Sequence, residues 1–450
     1  MTGDGGPPGA VFSMLQRTFG DVATEAVFSE AATVEGWLRT EAALARAQAH
    51  VGELEPERAA VIADACRLDN VDLSTLWADM ANVGYPILPL VRQLTERLPE
   101  HARGSLHYGA TTQDIMDTGL SLQLARALDR LGALTDELGD ALALQVEVHA
   151  ETVMAGRTHG QQAVPTTLGA KLATFLRQVG QVRRELPAHR RAVCLVSLHG
   201  AAGTSAGFGP RVDEVRAHMA RELSLAVPDG PWHVTRDGLA SFAGACARAS
   251  AVCARLAREV IDLSRTEIGE VSESAGHHRG ASSTMPQKAN PIDSEAIVGL
   301  AANAAAAAGT MYRAMEAGHE RSAGEWQVEW HSLPQVAVLA AGCLLVAARV
   351  VREMTVDPDR MAANLDLEQG RTLAEAYMFQ LAPDLGREEA HDLVYEAALA
   401  SKSRRIELEQ ALREVAADGA EIGRISPADY TGRARDEAVS AVAGWRSIRA

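Results

Sequence analysis

From about Thr118 to Val153 the chain carries no strong helix breaker, and Leu120, Leu124, Leu128, Leu131, Leu138 and Leu142 recur at spacings of three, four and seven. At ~1.5 Å per residue a helix of that length runs roughly 50 Å. Such a helix cannot wrap a small globule, so it must stack beside others in an elongated bundle. Residues 167–196, 238–270, 292–318 and 332–354 read the same way, with Pro187 a candidate bend in the first of them. Ala, Leu, Glu, Arg and Gln dominate throughout, and β-branched alternation is scarce. The run Ala304 to Ala308 gives a small-residue face suited to the centre of an oligomeric bundle. The fold class this predicts is all-α.

Residues 1–107 read as a head of short helices, 108–354 as the long-helix core, and 355–450 as shorter amphipathic pieces broken by Pro358, Pro383 and Pro427. With 450 residues there is ample chain to bury a core. Lys and Arg total 43 against 59 Asp and Glu, a formal charge of −16. No basic stripe is present, which argues against nucleic acid but leaves room for a local cationic pocket and a small anionic substrate. The five cysteines, Cys66, Cys194, Cys246, Cys253 and Cys343, form no CxxC pair. They read as a reduced, cytoplasmic set without a disulfide framework or zinc site. The Gly/Pro-rich start, Met1 to Ala10, has no apolar core and is expected to be a frayed tail, not a signal peptide. Val336 to Val351 is too short for a membrane span and reads as a buried helix.

Polar segments interrupt this scaffold at Ser105 to Asp117, Gly156 to Thr167 and Glu270 to Asn290, with a Gly/Ala-rich one at Leu198 to Pro210. Polar loops between rigid helices are the usual place for chemistry. Each of the first three feeds a helix start, through Thr111-Thr112-Gln113-Asp114, Pro165-Thr166-Thr167 and Asn290-Pro291. Helix starts expose N–H groups and the positive dipole end, so together they are expected to hold a di- or tricarboxylate. His107 and His159 sit in two of these loops. Gly280 to Pro291 is the densest segment, with Ser282, Ser283, Lys288 and Asn290, and its composition predicts a mobile lid.

These loops resemble the three signature regions of the fumarase/aspartase superfamily. Ser282 to Pro291 resembles S-S-x-M-P-x-K-x-N-P, Gly156 to Gly169 resembles G-R-T-H-x-Q-x-A-x-P-x-T-x-G, and Ser105 to Thr118 resembles H-x-G-x-T-S-x-D-x-x-D-T with Thr112 in place of the Ser. Within that superfamily the likeness is greatest to 3-carboxy-cis,cis-muconate cycloisomerase and nitrosuccinate lyase, and less to adenylosuccinate lyase, where an Arg would stand near Trp330. The chain departs from the M-P-H-K-R-N-P form at Gln287 and Ala289, and Ala281 stands where Gly precedes the Ser pair.

The resemblance implies a three-domain helical fold assembled as a homotetramer, with sites shared between subunits and no cofactor or metal. It implies Ser282 as the base, His159 as acid or charge relay paired with Glu295, and Lys288 as a stabiliser of the dianionic aci-carboxylate. It assigns Thr111, Thr112, Thr158, Gln162, Asn290, His107 and Ser283 to substrate binding. The lost loop Arg favours a smaller, succinate-type substrate, so the expected reaction is a β-elimination that breaks a C–N bond and releases fumarate, with nitrosuccinate one such substrate. The lactonising cycloisomerase is the alternative. A serine hydrolase, suggested by Gly203-Thr204-Ser205-Ala206-Gly207, needs a strand before the Ser and a surrounding sheet. A non-enzymatic scaffold leaves the His-, Ser- and Lys-bearing loops unexplained.

Overall fold

The computed structural model describes residues 13–274, 279–416 and 422–449. The Met1 to Ala10 segment lies outside them, as do residues 275–278 of the run leading into the Ser282 loop. The helices named below are α1 (Glu30–His50), α2 (Thr112–Val148), α3 (Leu168–Val193), α4 (Val212–Leu223), α5 (Asp237–Leu263), α6 (Ile292–Ala314), α7 (Glu325–Glu353), α8 (Ala374–Leu385), α9 (Arg387–Arg404) and α10 (Leu408–Val415). The strands are β1 (Val153–Thr158), β2 (Gln161–Thr167), β3 (Val271–Ser272) and β4 (Thr355–Val356).

Each long helix foreseen in the sequence is present. Helix α2 begins at Thr112, earlier than the leucine pattern shows, because its first turn is polar. Helix α3 continues through Pro187, and α7 begins at Glu325 with Pro334 in its interior. The fold is helical as expected, but the polar segment Gly156 to Thr167, read as a loop, is largely a β-hairpin. Strands β1 and β2 pair antiparallel from Val153 opposite Thr167 to Thr158 opposite Gln161, with an irregularity between Ala155 and Arg157. A second small pair joins β3 to β4.

The chain divides into two compact units. The first comprises the described residues of Met1–Leu134, Arg184–Ala251 and Gly299–Leu344. Its core gathers Val34, Leu38 and Leu44 of α1, Ile115 and Leu122 of α2, and Val215 and Met219 of α4. Helices α1 and α2 approach closely at two glycines. A Cβ on Gly119 would lie 2.7 Å from the Trp37 ring, and one on Gly36 would lie 3.3 Å from the Gly119 carbonyl oxygen. Larger residues there would push the helices apart and open the Trp37 packing.

The second unit comprises Thr135–Arg183, Val252–Val298 and the described residues of Leu345–Ala450. Lys171 of α3 pairs with Glu259 of α5 at 2.7 Å, and Gln145 of α2 donates to the Val351 carbonyl at 3.1 Å. Its C-terminal part closes around Leu373, Tyr377, Leu381, Val394, Leu408 and Leu412 on and beside α8, α9 and α10. Helix α7 is long and apolar enough to cross a membrane, but 78% of its apolar window is buried inside the protein, as befits a core helix. The division into two units cuts through long helices and so differs in kind from one at residues 107 and 354.

Candidate active site

In the second unit the β-hairpin carries His159 at its tip. His159 and Gly160 have φ of 52° and 76°, and two consecutive residues with positive φ make the tight two-residue turn that suits a twisted hairpin. The strands are pinned next to this turn, where Arg157 forks onto the buried carboxylate of Glu270 at 2.9 and 2.6 Å. Asn364 also donates to Glu270, at 2.7 Å, and Gln162 donates to the Asn364 carbonyl at 2.8 Å. Thr158 and His159 are exposed. A rigid hairpin thus presents an imidazole outward. Glu295, on the first turn of α6, is exposed too. Among the described residues no hydrogen bond or ion pair joins it to His159.

The Ser282 loop is closed at its base. Ala281 pairs with Ala289, and the Asn290 backbone and side-chain amides both donate to the Gly280 carbonyl at 2.9 Å. Gly280 has φ of 65°, and a Cβ there would lie 2.4 Å from the Asn290 carbonyl oxygen, so only glycine fits. Asn290, expected to bind substrate, therefore spends its side-chain N–H on closing the loop. Within the loop, Ser282 Oγ accepts the backbone N–H groups of Thr284 at 3.3 Å and Met285 at 3.1 Å. Donors aimed at this oxygen favour its oxyanion form, which a serine acting as a base requires. Ser283 and Lys288 are exposed, and Lys288 forms no ion pair among the described residues. The chain has only three lysines, Lys171, Lys288 and Lys402, so one in the same loop as Ser282 is a specific choice of a compact cation.

The helix starts hold fewer ligand sites than the sequence led us to expect. The α6 start is filled by Glu273, whose carboxylate accepts from Asp293 N at 3.1 Å and Ser294 N at 2.7 Å. The α3 start is met by Thr167 Oγ1, which accepts from Ala170 N at 3.1 Å, and by the His149 and Thr152 carbonyls. Each is satisfied by this chain, because an unpaired N–H is costly to bury.

In the first unit, Thr111 and Thr112 open α2. Asp114 reaches back so that its buried carboxylate accepts from Thr111 N at 3.1 Å, His199 N at 2.7 Å and Gly200 N at 3.0 Å. That carboxylate ties the first polar loop to the Gly/Ala-rich one. Burial raises the Asp114 pKa, with Asp117 adding, and the N–H bonds oppose the rise. Beyond it, Asp117 and Glu329 grip Arg236 from two sides, with Arg236 donating to Asp117 at 2.8 and 3.1 Å and to Glu329 at 2.7 Å. All three side chains are 1–2% exposed. A neighbouring cavity of about 210 Å³ is walled by Trp37, Trp77, Trp326 and Trp330. The two acidic groups at its edge are already engaged, so it offers no charge to a carboxylate.

Comparison with known proteins decides what this assembly belongs to. A family model described as a lyase matches residues 20–306. A 3-carboxy-cis,cis-muconate cycloisomerase of Pseudomonas aeruginosa is 40% identical over 91% of both chains. The chain belongs to the fumarase/aspartase superfamily. It is thus an enzyme of the lyase and cycloisomerase kind. The crystal structure of the 3-carboxy-cis,cis-muconate lactonizing enzyme from Pseudomonas putida superposes with a TM-score of 0.90 at 34% identity, covering 97% of this chain and 100% of that one. A nitrosuccinate lyase of Streptomyces davaonensis is 37% identical over 86% of this chain and 84% of its own. The expectation of a C–N lyase is therefore the less supported one, and the cycloisomerase alternative is backed better.

In superfamily terms, the two aspartates of the first signature are structural here. They sit three residues apart on α2 and so share a face, where Asp114 holds backbone N–H groups and Asp117 holds Arg236. Sequence reading missed Arg236, whose surroundings Trp232 and His233 carry no motif. Ser205 is 8% exposed, its Oγ accepts from Arg216, and no strand leads directly into it, which removes the hydrolase geometry. Among the described residues no three His, Cys, Asp or Glu side chains gather as metal ligands.

His107 has φ of 59°, and its Nδ1 lies 2.6 Å from Oε1 of the buried Glu41. Burial works against the imidazolium, but the Glu41 charge and hydrogen bond, helped by Asp114, outweigh it and raise the His107 pKa above 6.5. A raised folded value means that the pair's contribution is fully present below pH 6.5 and is lost as pH rises through the higher folded value. Replacing Glu41 by Gln is expected to drop the His107 pKa below its ordinary value, as followed by NMR titration of the ring protons. The stability difference between wild type and variant is then expected to shrink on going alkaline. An unmoved His107 titration contradicts this.

Proposed function

We propose that this chain lactonises 3-carboxy-cis,cis-muconate. The observation that carries the reading is the donor-lined Ser282 oxygen in a loop that also bears the exposed Lys288, in a chain whose likeness to cycloisomerases is nearly full length. In lactonisation a substrate carboxylate oxygen adds to the alkene carbon β to a second carboxylate, and a proton adds to the α carbon. One C–O and one C–H bond form as the π bond is lost, and one proton is drawn from the enzyme. The electron pair passes through an aci-carboxylate, so stabilising that dianion dominates the barrier. Ser282 exchanges the proton at the α carbon, and the Thr284 and Met285 N–H groups hold its oxyanion. Lys288 neutralises the aci-carboxylate. Thr111, Thr112, Thr158 and Gln162 bind carboxylates, and His159, with Glu295 as its partner, orients the attacking group.

This reading places His159, Ser282 and Thr111 from different subunits in each site of a cytoplasmic homotetramer. Exposed apolar side chains on the long helices support such assembly, with Leu144 at 59%, Val148 at 64% and Tyr312 at 56% exposure.

A second reading runs the same chemistry as β-elimination from a succinate-type substrate, releasing fumarate. Gln287 and Ala289 favour it, since they remove charge from the substrate loop. Assay of the purified protein against 3-carboxy-cis,cis-muconate, nitrosuccinate and adenylosuccinate separates the two. Lactone from the first substrate supports the proposal. Fumarate from either of the others, without lactone, overturns it in favour of the lyase.

A further inference from the structure

The chain enters the Ser282 loop through Arg279, to which no motif gives a role. The Arg279 Nη2 donates to the carboxylate of Asp293, on the first turn of α6. Asp293 is 2% exposed. A second arginine, Arg349 of α7, forks onto the same carboxylate, with Nε on Oδ2 at 2.9 Å and Nη2 on Oδ1 at 2.8 Å. The Asp293 backbone N–H is taken by Glu273 at 3.1 Å. Asp293 is therefore anchored by α7 and by its own helix start, with or without Arg279.

The two arginines are not equivalent. Arg349 engages both carboxylate oxygens. Arg279 reaches Oδ2 through Nη2 alone, and its Nε is shut off from solvent without a hydrogen-bond partner. Opening the Arg279 contact leaves no buried carboxylate unpaired, so the penalty that normally locks a buried ion pair is absent. The Arg279 side chain is 31% exposed, and water can take over its charge when it leaves. A one-ended contact on a permanently anchored carboxylate can open and close without disturbing the helices. What it holds is the entering stem of the loop. Arg279 is followed by Gly280, whose carbonyl accepts both Asn290 amides, and Asn290 leads directly into α6. The leaving stem is thus continuous with a helix, whereas the entering stem is joined to that helix by side-chain and loop contacts.

We propose that Arg279 is a positioning residue, a latch on Asp293 that holds the entering stem of the Ser282 loop against α6. The closed stem keeps the Thr284 and Met285 N–H groups on Ser282 Oγ. Arg279 touches no substrate. Its effect on the loop stands on the geometry alone, and its effect on turnover rests on the reading of Ser282 as the group that exchanges the proton.

The test is hydrogen–deuterium exchange over residues 280–290, read by mass spectrometry on the assembled enzyme. Wild type is compared with Arg279→Gln and Arg279→Lys, alongside melting temperature and steady-state kinetics on whichever substrate turns over. Arg279→Gln is expected to exchange this segment roughly 3- to 10-fold faster and to lower kcat by a similar factor, with KM little changed. Exchange in α6 and α7 and the melting temperature should stay at their wild-type values, because Arg349 keeps Asp293 paired. Arg279→Lys retains the charge and should recover part of both losses, and it carries the test if the Gln variant does not fold. A merely structural arginine would instead lower the melting temperature and speed exchange in α6 and α7 as well, which overturns the inference. Unchanged exchange over residues 280–290 overturns it too, as does faster exchange with unchanged kcat. Faster exchange confined to the loop, in an enzyme whose wild type forms no lactone, overturns the proposed reaction and leaves the latch standing.

Discussion

Ser282→Ala is expected to lower kcat by on the order of 10³-fold while leaving folding intact. The hydroxyl is the only side-chain group at which the Thr284 and Met285 N–H groups converge. Its loss leaves those N–H groups in an exposed loop, where water replaces the serine, so the melting temperature should hardly move. Neighbouring Ser283→Ala is the internal control. No such bonds reach its hydroxyl, and its kcat should stay within about tenfold of wild type. Steady-state kinetics on whichever substrate turns over provides the check. Equal losses at both serines would mean that the loop acts as a unit and that the donors on Ser282 have no chemical role.

The largest effect on stability is expected at Arg236. Replacing it by Met leaves Asp117 and Glu329 buried with no cation between them. Breaking a buried pair in this way costs about 3–5 kcal/mol at neutral pH. Burial already raises the Glu329 pKa, with Asp117 adding and Arg236 opposing. Without the arginine Glu329 should titrate higher still in the folded state than in the unfolded state. A raised folded value makes the destabilisation grow as pH rises and fade as pH falls into the carboxylate range. Denaturant melts at pH 7 and pH 5 measure this. An equal loss at both pH values would point to packing, including the lost stacking of Arg236 on Trp232 at 5.0 Å, as the sole cause.

How much of this was legible in the sequence depends on the range of the forces involved. The long helices were readable because leucine periodicity and helix propensity act over many residues in one direction. The β1–β2 hairpin was not, because its strands are short, carry Pro165 and lack alternation, and its turn has His159 where an Asn or Asp would have signalled it. The loop residues Ser282, Ser283, Lys288, Thr111 and His159 were singled out because hydroxyls, a lysine and histidines are out of place in an apolar scaffold. Their partners were not found. Glu273 on the α6 start and Glu270 under Arg157 are contacts between distant stretches. Arg236 stands in a chain full of arginines, and only the structure shows that it is buried between two carboxylates.

The most direct test of the proposed reaction is product analysis in D₂O. Wild-type enzyme is given 3-carboxy-cis,cis-muconate, and the product is examined by NMR and mass spectrometry. The expected result is a lactone bearing a single solvent deuterium on the carbon next to a carboxylate, because one proton is delivered there as the C–O bond closes. Recovery of unchanged substrate, from enzyme that releases fumarate from a succinyl compound, would contradict the assignment.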